Sequence, residues 1–240
     1  TFLDDTFTIN EKRVHEICEL KNKKNIDLTW FANAHANVRD QDIFKAMKGA
    51  GAWMVSLGIE SGSPKIIELL EKGTTKERMK ATAQGVLDAK LKLKPLFILG
   101  NPGETLETLE ETIQFAEDLK GHFPVFSIMT PFPGAPLWDK AEEYGTFDRS
   151  SFSKLTISTC DPAFVPYGLT KEILIKKQKE AFRRSYFNVD MAKRHLMTLD
   201  NIEDLIKLVK ASFTYLNLQF ASISFQKKMN AHQFNVTATK

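Results

Sequence analysis

The chain has 240 residues, of which 42% are hydrophobic and 26% charged, the composition of a globular protein large enough for a substantial core. Its net charge is +3, which is too weak to argue for nucleic acid or an anionic membrane as a partner. Two cysteines far apart in sequence, Cys18 and Cys160, suggest no disulfide framework, so we expect a cytoplasmic protein. The longest uncharged run, residues 211–225, is too short and too polar to span a bilayer, and no stable membrane insertion is expected.

Apolar and amphipathic segments alternate over the first 145 residues. Strands are predicted at residues 1–5, 28–34, 53–60, 93–100 and 125–130, with helices between them at about 10–24, 40–50, 64–72, 76–90 and 105–120. Repeated βα units predict a parallel sheet, either doubly wound or closed into a barrel. Helices are also predicted at about 170–187 and 201–212. We expect three parts: an incomplete barrel over 1–145, a loop and helical extension over 146–212, and a tail of uncertain structure over 213–240.

The predicted strands share one property at their carboxyl ends, where parallel α/β folds bind ligands. Each end is polar, Gly-rich or Pro-rich: Asp4-Asp5-Thr6, Asn33 to His35, Gly58 to Ser63, Gly100 to Glu104, and Thr130 to Gly134. We expect these five ends to form the rim of one site. Because a strand ending at Asp4 can hardly begin at Thr1, we also expect the chain to be a piece of a longer protein.

Residues 97–105, with the sequence FILGNPGET, predict a buried strand that stops in a glycine turn and continues as a helix. Gly100 and Gly103 supply backbone freedom, Pro102 fixes one turn, and Thr105 is the predicted N-cap. Such a turn presents backbone N–H groups at a helix start, where a ligand can dock. A tight βα loop without a ligand is the alternative.

Glu60 is predicted to face the interior of the fold, because it alternates with Ser56 and Gly58 along its strand. A charged group there needs a partner, and a ligand hydroxyl is a good one. His35 is equally consistent with a structural histidine. Asp4 and Asp5 have a structural alternative as an Asx turn.

Five segments occur in the order found in radical S-adenosylmethionine enzymes: FLDDTFT, MKGAGAWMVSLGIESGS, LLEKGTT, FILGNPGETLETLEETIQFAEDL and TPFPGAPLW. Over residues 1 to about 145 the chain most resembles the branch that carries an upstream cobalamin-binding domain. The resemblance implies a partial (βα)6 TIM-like barrel with strands two to six present, followed by a mainly helical region. It also implies S-adenosylmethionine chelated to a 4Fe–4S cluster and cleaved reductively to a 5′-deoxyadenosyl radical, cobalamin as a further cofactor, and an electron donor such as flavodoxin or ferredoxin.

The same resemblance assigns roles to the strand ends. Asp4, Asp5 and Thr6 stand where the family places a Gly-Gly-Glu that receives the methionine ammonium, and Glu60 stands at the position associated with the ribose hydroxyls. Ile98 to Glu104 match the G-x-I-x-G-x-x-E element beside the adenine, in which Glu104 ties down the turn. The expected cofactor-binding residues are Asp4, Asp5, Thr6, Glu60, Ser61, Ile98, Gly100, Gly103, Glu104 and Thr130.

The chain departs from the family at the cluster ligands, because it has no C-x-x-x-C-x-x-C triplet to hold a cluster. Cys18 and Cys160 are expected to be inert thiols, and His35 stands where close relatives are expected to have Arg. We therefore assign no catalytic residue and no metal ligand, and expect the cluster ligands upstream and this chain to be inactive alone. Methyl transfer to carbon is the commonest outcome in this branch. Alternatives are a methylthiotransferase-like radical enzyme, a nucleotide- or phosphate-binding barrel without a cluster, and a cluster-free binding module.

Overall fold

The computed structural model describes residues 1–150 and 161–196. A parallel sheet of four strands lies at its centre, in the order β1 (Trp30–His35), β2 (Ala52–Glu60), β3 (Lys92–Leu99) and β4 (Val125–Ile128). Helices α1 (Glu11–Lys23), α2 (Asp42–Gly49), α3 (Pro64–Leu69), α4 (Lys76–Asp88) and α5 (Leu106–Asp118) precede or connect these strands. The predicted α/β class is confirmed, and the four strands form an open sheet rather than a closed barrel.

Further elements follow the sheet. They are α6 (Pro136–Tyr144), an antiparallel pair of short strands β5 (Gly145–Phe147) and β6 (Phe164–Pro166), α7 (Lys171–Tyr186) and α8 (Val189–Leu196). The chain divides into two units after Met191, and the sheet with helices α1 to α7 belongs to the first. The helix predicted at 201–212 and the tail from 213 lie outside the described residues, and the three-part division of the chain stays a prediction.

The strand predicted at residues 1–5 is wrong, so that four of the five expected strands are present. One backbone hydrogen bond joins this segment to β1, from Phe2 N to Phe31 O at 3.1 Å. The chain then turns at residues 5–6 and enters a 3-10 helix, Phe7–Ile9. The apolar residues that suggested a strand pack as rings instead, since Phe2 lies 4.5 Å from the Phe7 centroid and 4.9 Å from that of Trp30.

Side-chain caps fix where several helices begin. Thr105 accepts a hydrogen bond from the backbone N–H of Thr108, and the Thr108 hydroxyl accepts one from the backbone N–H of Thr105, which makes a reciprocal capping box. The N-cap predicted at Thr105 is therefore confirmed. Asn10, Thr75 and Thr170 cap α1, α4 and α7 through one side-chain oxygen each.

The two faces of the sheet differ in burial because side chains alternate along each strand. One face packs against the helices and forms the core, with buried residues that include Ala32, Ala34, Val55, Leu57, Leu93, Phe97, Leu99, Phe126 and Ile128. The opposite face, here called the inner face, is mostly half-exposed. Strand register places on it Phe31, Asn33, His35, Met54, Ser56, Gly58, Lys92, Lys94, Leu96, Ile98, Val125 and Ser127.

Helix α7 is held against α5 by ion pairs. Lys177 Nζ lies 3.0 Å from Glu110 Oε2, while Arg184 bonds to Glu110 and lies 2.5 Å from Glu117 Oε2. These carboxylates raise the pKa of the Arg184 guanidinium above its usual value. Two cations of this basic helix, Lys177 and Arg184, thus hold α7 against α5. None of the helices within the described residues has the length and apolarity needed to cross a membrane.

Candidate functional site

A turn after β3 places buried polar groups at the carboxyl edge of the sheet. Glu104 Oε2 accepts hydrogen bonds from the backbone N–H of Gly100 and, at 3.0 Å, from that of Asn101. The Asn101 amide in turn donates to the Ile98 carbonyl at 2.7 Å. Gly100 and Gly103 have φ of +85° and +73°, a backbone region in which side chains are strained. One carboxylate therefore closes the glycine turn, as expected of Glu104.

Glu104 is itself an unusual carboxyl group, because only 1% of the residue is exposed. Burial raises its pKa to about 7, although the hydrogen bonds from Gly100 and Asn101 act in the opposite direction. Its second oxygen, Oε1, has no hydrogen-bond partner within the described residues, and neither does Asn101 Oδ1. Two buried acceptor atoms, Glu104 Oε1 and Asn101 Oδ1, therefore lie in the turn at this edge of the sheet.

The end of β2 carries an acidic side chain on the inner face. Glu60 has φ of +67°, and the pairing of β2 with β3 shifts between Gly58 and Glu60. Glu60 Oε1 accepts a hydrogen bond from Lys72 Nζ at 3.0 Å, and the same ammonium donates to the Gly58 carbonyl at 2.7 Å. A Cβ on Gly58 would lie 2.9 Å from Glu60 Oε1, so Glu60 lies on the Gly58 side of the strand, as the alternation predicts.

Ser61 follows Glu60 but turns away from this edge. It is fully buried, and its hydroxyl lies 3.0 Å from the Thr112 hydroxyl of α5. Thr112 also accepts a hydrogen bond from the backbone N–H of Gly62 at 3.1 Å. A Cβ on Gly62 would lie 2.4 Å from the Phe115 Cβ, so the segment after β2 packs directly on α5. The Ser61 side chain is engaged in that packing.

Residues 4–8 run past the end of β1. Asp4 Oδ2 accepts a hydrogen bond from Arg13 Nη2 at 3.2 Å, and the Asp4 carbonyl lies 3.5 Å from the Asn33 amide nitrogen. Asp5 is exposed, and Thr6 precedes the 3-10 helix with no side-chain cap bond. Asp4 thus lies beside β1 through its carbonyl, while its carboxylate already has a cationic partner in Arg13.

His35 ends β1 in register with Gly58. Its Nδ1 accepts a hydrogen bond from the backbone N–H of Asn37 at 3.2 Å, which leaves the proton of the neutral ring on Nε2. Burial lowers the pKa of His35, and the nearby charge of Lys72 lowers it further, while Glu60 acts in the opposite direction. The lowered pKa favours the neutral imidazole, and the bond from Asn37 selects the tautomer that carries its proton on Nε2.

Thr130, just beyond β4, is 7% exposed, and its hydroxyl donates to the Ile128 carbonyl at 3.3 Å. Ile98 is half-exposed on the inner face, opposite Ser127. The structure thus brings Glu60, Ile98 and the Glu104 turn to one edge of the sheet. Lys72 is the residue that the sequence reasoning missed, although it lies within the LLEKGTT segment.

A metal centre is not found in the part of the chain that the structure describes, where no three His, Cys, Asp or Glu side chains are grouped to hold an ion. Cys18 lies buried in α1, and burial raises the pKa of its thiol to about 11, which fits the inert role expected of it. Cys160 lies outside the described residues. The donor set of these residues does not fit an iron–sulfur cluster, which needs Cys thiolates.

Comparisons with known proteins agree on one family. Residues 1–116 match the family model described as Radical SAM superfamily. The chain is 35% identical over 185 residues to an uncharacterized methyltransferase of Pyrococcus horikoshii, covering 77% of this chain and 40% of that protein. It is 28% identical over 188 residues to the anaerobic magnesium-protoporphyrin IX monomethyl ester cyclase of Rubrivivax gelatinosus, covering 77% of this chain and 33% of that protein.

A solved structure shares the fold. The radical S-adenosylmethionine methyltransferase TsrM of Kitasatospora setae aligns with a TM-score of 0.55 at 17% identity, over 62% of this chain and 32% of that one. The likeness agrees with the partial barrel expected from the sequence. The chain spans less than half the length of each of these proteins.

Proposed function

The chain carries a Radical SAM superfamily domain over residues 1–116, and from that premise we propose that it is the S-adenosylmethionine-binding part of a radical enzyme. The observation that carries the proposal is the meeting of two features at the carboxyl edge of the sheet. One is the glycine turn that Glu104 closes, and the other is the carboxylate of Glu60, which Lys72 holds on the inner face. Ligands of parallel α/β folds bind at this edge.

The residues at this edge fit the nucleoside end of S-adenosylmethionine. Ile98 offers a half-exposed apolar side chain to the adenine. Gly100 has no side chain, so its backbone can approach the adenine closely. Glu60 offers a carboxylate to the ribose hydroxyls, a pairing also used in dinucleotide sites. Acceptor groups at Asp4 and Asp5 suit the methionine ammonium. The proposed cofactor-binding residues are Asp4, Asp5, Thr6, Glu60, Ser61, Ile98, Gly100, Gly103, Glu104 and Thr130, with Ser61 and Thr130 contributing through their backbone.

The proposed reaction would draw the electron that cleaves S-adenosylmethionine from a 4Fe–4S cluster, which the described residues do not fit. The chain has two cysteines in all, too few for a three-cysteine cluster loop, so we place the cluster ligands in a longer protein of which this chain is a part, here called the full-length protein. The 240-residue chain alone is then inactive. A one-electron donor such as flavodoxin or ferredoxin and a cytoplasmic setting belong to the same proposal.

Methyl transfer, or a related radical reaction on an unknown substrate, is the proposed outcome. The support is the 35% identity to a protein named a methyltransferase, together with the motifs that resemble the cobalamin-dependent branch. Cobalamin is proposed as the second cofactor on that resemblance. No residue of the described chain is assigned to it.

The test is the affinity of the full-length, cluster-loaded protein for S-adenosylmethionine, measured by titration. Hydrogen bonds to a charged group contribute roughly 1.5–3 kcal/mol, so Glu60→Ala should weaken binding about tenfold to a hundredfold. The fold should survive, because Glu60 is the last residue of its strand and its side chain is partly exposed. Glu19→Ala, a change of an exposed glutamate on α1, is the matched control and should bind as wild type does. An unchanged affinity in folded Glu60→Ala protein would show that Glu60 is structural.

A further inference from the structure

We propose that Lys72 is a positioning residue, which anchors one oxygen of Glu60 so that the other faces the ribose of the ligand. This inference rests on the proposed function, since it assumes that Glu60 binds a ribose. It goes beyond the proposed function because it assigns a role to a basic residue from a different segment of the chain.

The ammonium of Lys72 has two partners at the end of β2. It donates to Glu60 Oε1 at 3.0 Å and to the Gly58 carbonyl at 2.7 Å. The exposed fractions of the two side chains are 14% for Lys72 and 25% for Glu60. Exposed ion pairs contribute little because water screens them and both side chains stay mobile. This pair is mostly shielded, and its bond to a main-chain carbonyl fixes the position of the ammonium.

The turn that carries Lys72 is shaped to bring it back over β2. The residues on either side of Lys72 have left-handed backbones, with φ of +49° at Glu71 and +61° at Gly73. The Glu71 N–H donates to the Glu68 carbonyl at 3.0 Å. From the β1 side, the Asn37 amide donates to the Gly73 carbonyl at 3.0 Å. The ammonium therefore sits on a turn held at both ends, not on a free loop.

Glu60 needs such an anchor because its backbone is strained. A φ of +67° is uncommon for a residue that is neither Gly nor Asn, and the ladder to β3 shifts at the same place. Strain of this kind persists only where surrounding bonds determine the conformation, and it concentrates at binding sites. Gly58 completes the arrangement, since a Cβ there would lie 2.9 Å from Glu60 Oε1 and 3.6 Å from Lys72 Nζ.

The two carboxylate oxygens of Glu60 have different surroundings. Oε1 is bonded to Lys72, whereas Oε2 has no hydrogen bond within the described residues. An anchored oxygen beside an open one is an arrangement suited to a directional acceptor for a ligand hydroxyl. Burial lowers the pKa of His35, and the nearby charge of Lys72 lowers it further, so Lys72 also acts on this neighbouring ring of the inner face.

The experiment compares the binding of adenosine and of 2′,3′-dideoxyadenosine to the full-length protein by isothermal titration calorimetry. The two nucleosides differ only in the ribose hydroxyls, so the ratio of their dissociation constants isolates the ribose contact. We expect wild type to favour adenosine by about tenfold or more. Lys72→Met should reduce this ratio at least about fivefold and leave the affinity for the dideoxynucleoside unchanged. Lys80→Met, on the exposed side of α4, is the control and should keep the wild-type ratio.

Two further variants separate the inference from the proposed function. Glu60→Gln should also reduce the ratio, and the double variant should be no worse than the more affected single one, because the two residues act as a unit. If wild type shows no preference, or Glu60→Gln keeps it, the proposed ribose contact is wrong. If Glu60→Gln loses the preference and Lys72→Met retains it, the proposed function stands and the positioning role of Lys72 is refuted.

A merely structural Lys72 would give a different result, in which Lys72→Met weakens the binding of both nucleosides equally. Lys72→Arg provides the second variant, since it keeps the charge and a donor that can reach Glu60 Oε1. It should retain most of the wild-type ratio, and it decides the question if Lys72→Met does not fold. Loss of the preference in folded Lys72→Met and its recovery in Lys72→Arg would support the proposal.

Discussion

Replacing Glu104 with glutamine should remove a pH-dependent part of the stability of the chain. The carboxyl group titrates near 4.5 in its ordinary environment, whereas burial raises its pKa to about 7 in the folded chain. Between these pH values the folded chain holds the proton that the unfolded chain has lost, so the free energy of unfolding falls as pH rises. The contribution is complete below about pH 4.5 and is lost above about pH 7. A difference of about 2.5 pKa units corresponds to about 3 kcal/mol.

Glutamine keeps the shape and an acceptor oxygen for the backbone N–H groups of Gly100 and Asn101, but it has no charge to bury. Between pH 5 and pH 8, the free energy of unfolding of Glu104→Gln should therefore rise by about 2.5 kcal/mol relative to wild type. Urea denaturation of both chains, followed by circular dichroism at each pH, measures this difference. Glu111→Gln, an exposed change on α5, is the control and should follow wild type. A Glu104→Gln difference that does not change with pH would refute the buried, weakly acidic Glu104.

Two other predictions follow from the packing and the ligand chemistry. Thr112→Val should lower the free energy of unfolding by about 1–3 kcal/mol, because the Ser61 hydroxyl and the Gly62 N–H lose their partner. Thr146→Val, at an exposed position, is the control. Equal stability of the two variants would contradict a stabilising role for the Thr112 hydroxyl. The 240-residue chain should not hold a stoichiometric 4Fe–4S cluster after anaerobic reconstitution with iron and sulfide, because its described residues group no three ligands and Cys18 is buried. Iron and sulfide analysis checks this, and a full complement of cluster would overturn it.

Local patterns identified most helices and parallel strands, because those elements carry their own signals. Helix α5 was predicted at 105–120 and spans Leu106–Asp118, since Thr105 caps it and Leu109 and Ile113 bury one stripe. Leu106, in the first turn of the same helix, is 49% exposed.

Elements that depend on distant partners were missed. The strands β5 and β6 have three residues each and pair residues far apart in sequence, such as Gly145 with Pro166. Such short segments have no periodicity, and their pairing depends on close approach: a Cβ on Gly145 would lie 2.1 Å from the Val165 carbonyl oxygen. Helix α6 has one local signal, Pro136 in its first turn, and no helix was predicted there.

In the candidate site, too, features set by local sequence were predicted and contacts with distant residues were not. The side of the strand on which Glu60 lies followed from alternation, and the turn after β3 followed from its glycines. That Glu104 closes this turn was an implication of the family resemblance. The partner of Glu60 was not predicted, because the contact with Lys72 needs a turn that folds back across β2. The bond between the Asp4 carboxylate and Arg13, nine residues further along the chain on α1, was not predicted either.

The most direct measurement is a structure of the full-length protein with S-adenosylmethionine bound. The account predicts a ribose hydroxyl at about 2.5–3.0 Å from Glu60 Oε2 and the adenine against the backbone of Ile98 to Gly100. Lys72 should remain bonded to Glu60 Oε1. A nucleoside bound away from the carboxyl edge of β2 and β3, with Glu60 still contacting only Lys72, would contradict the account.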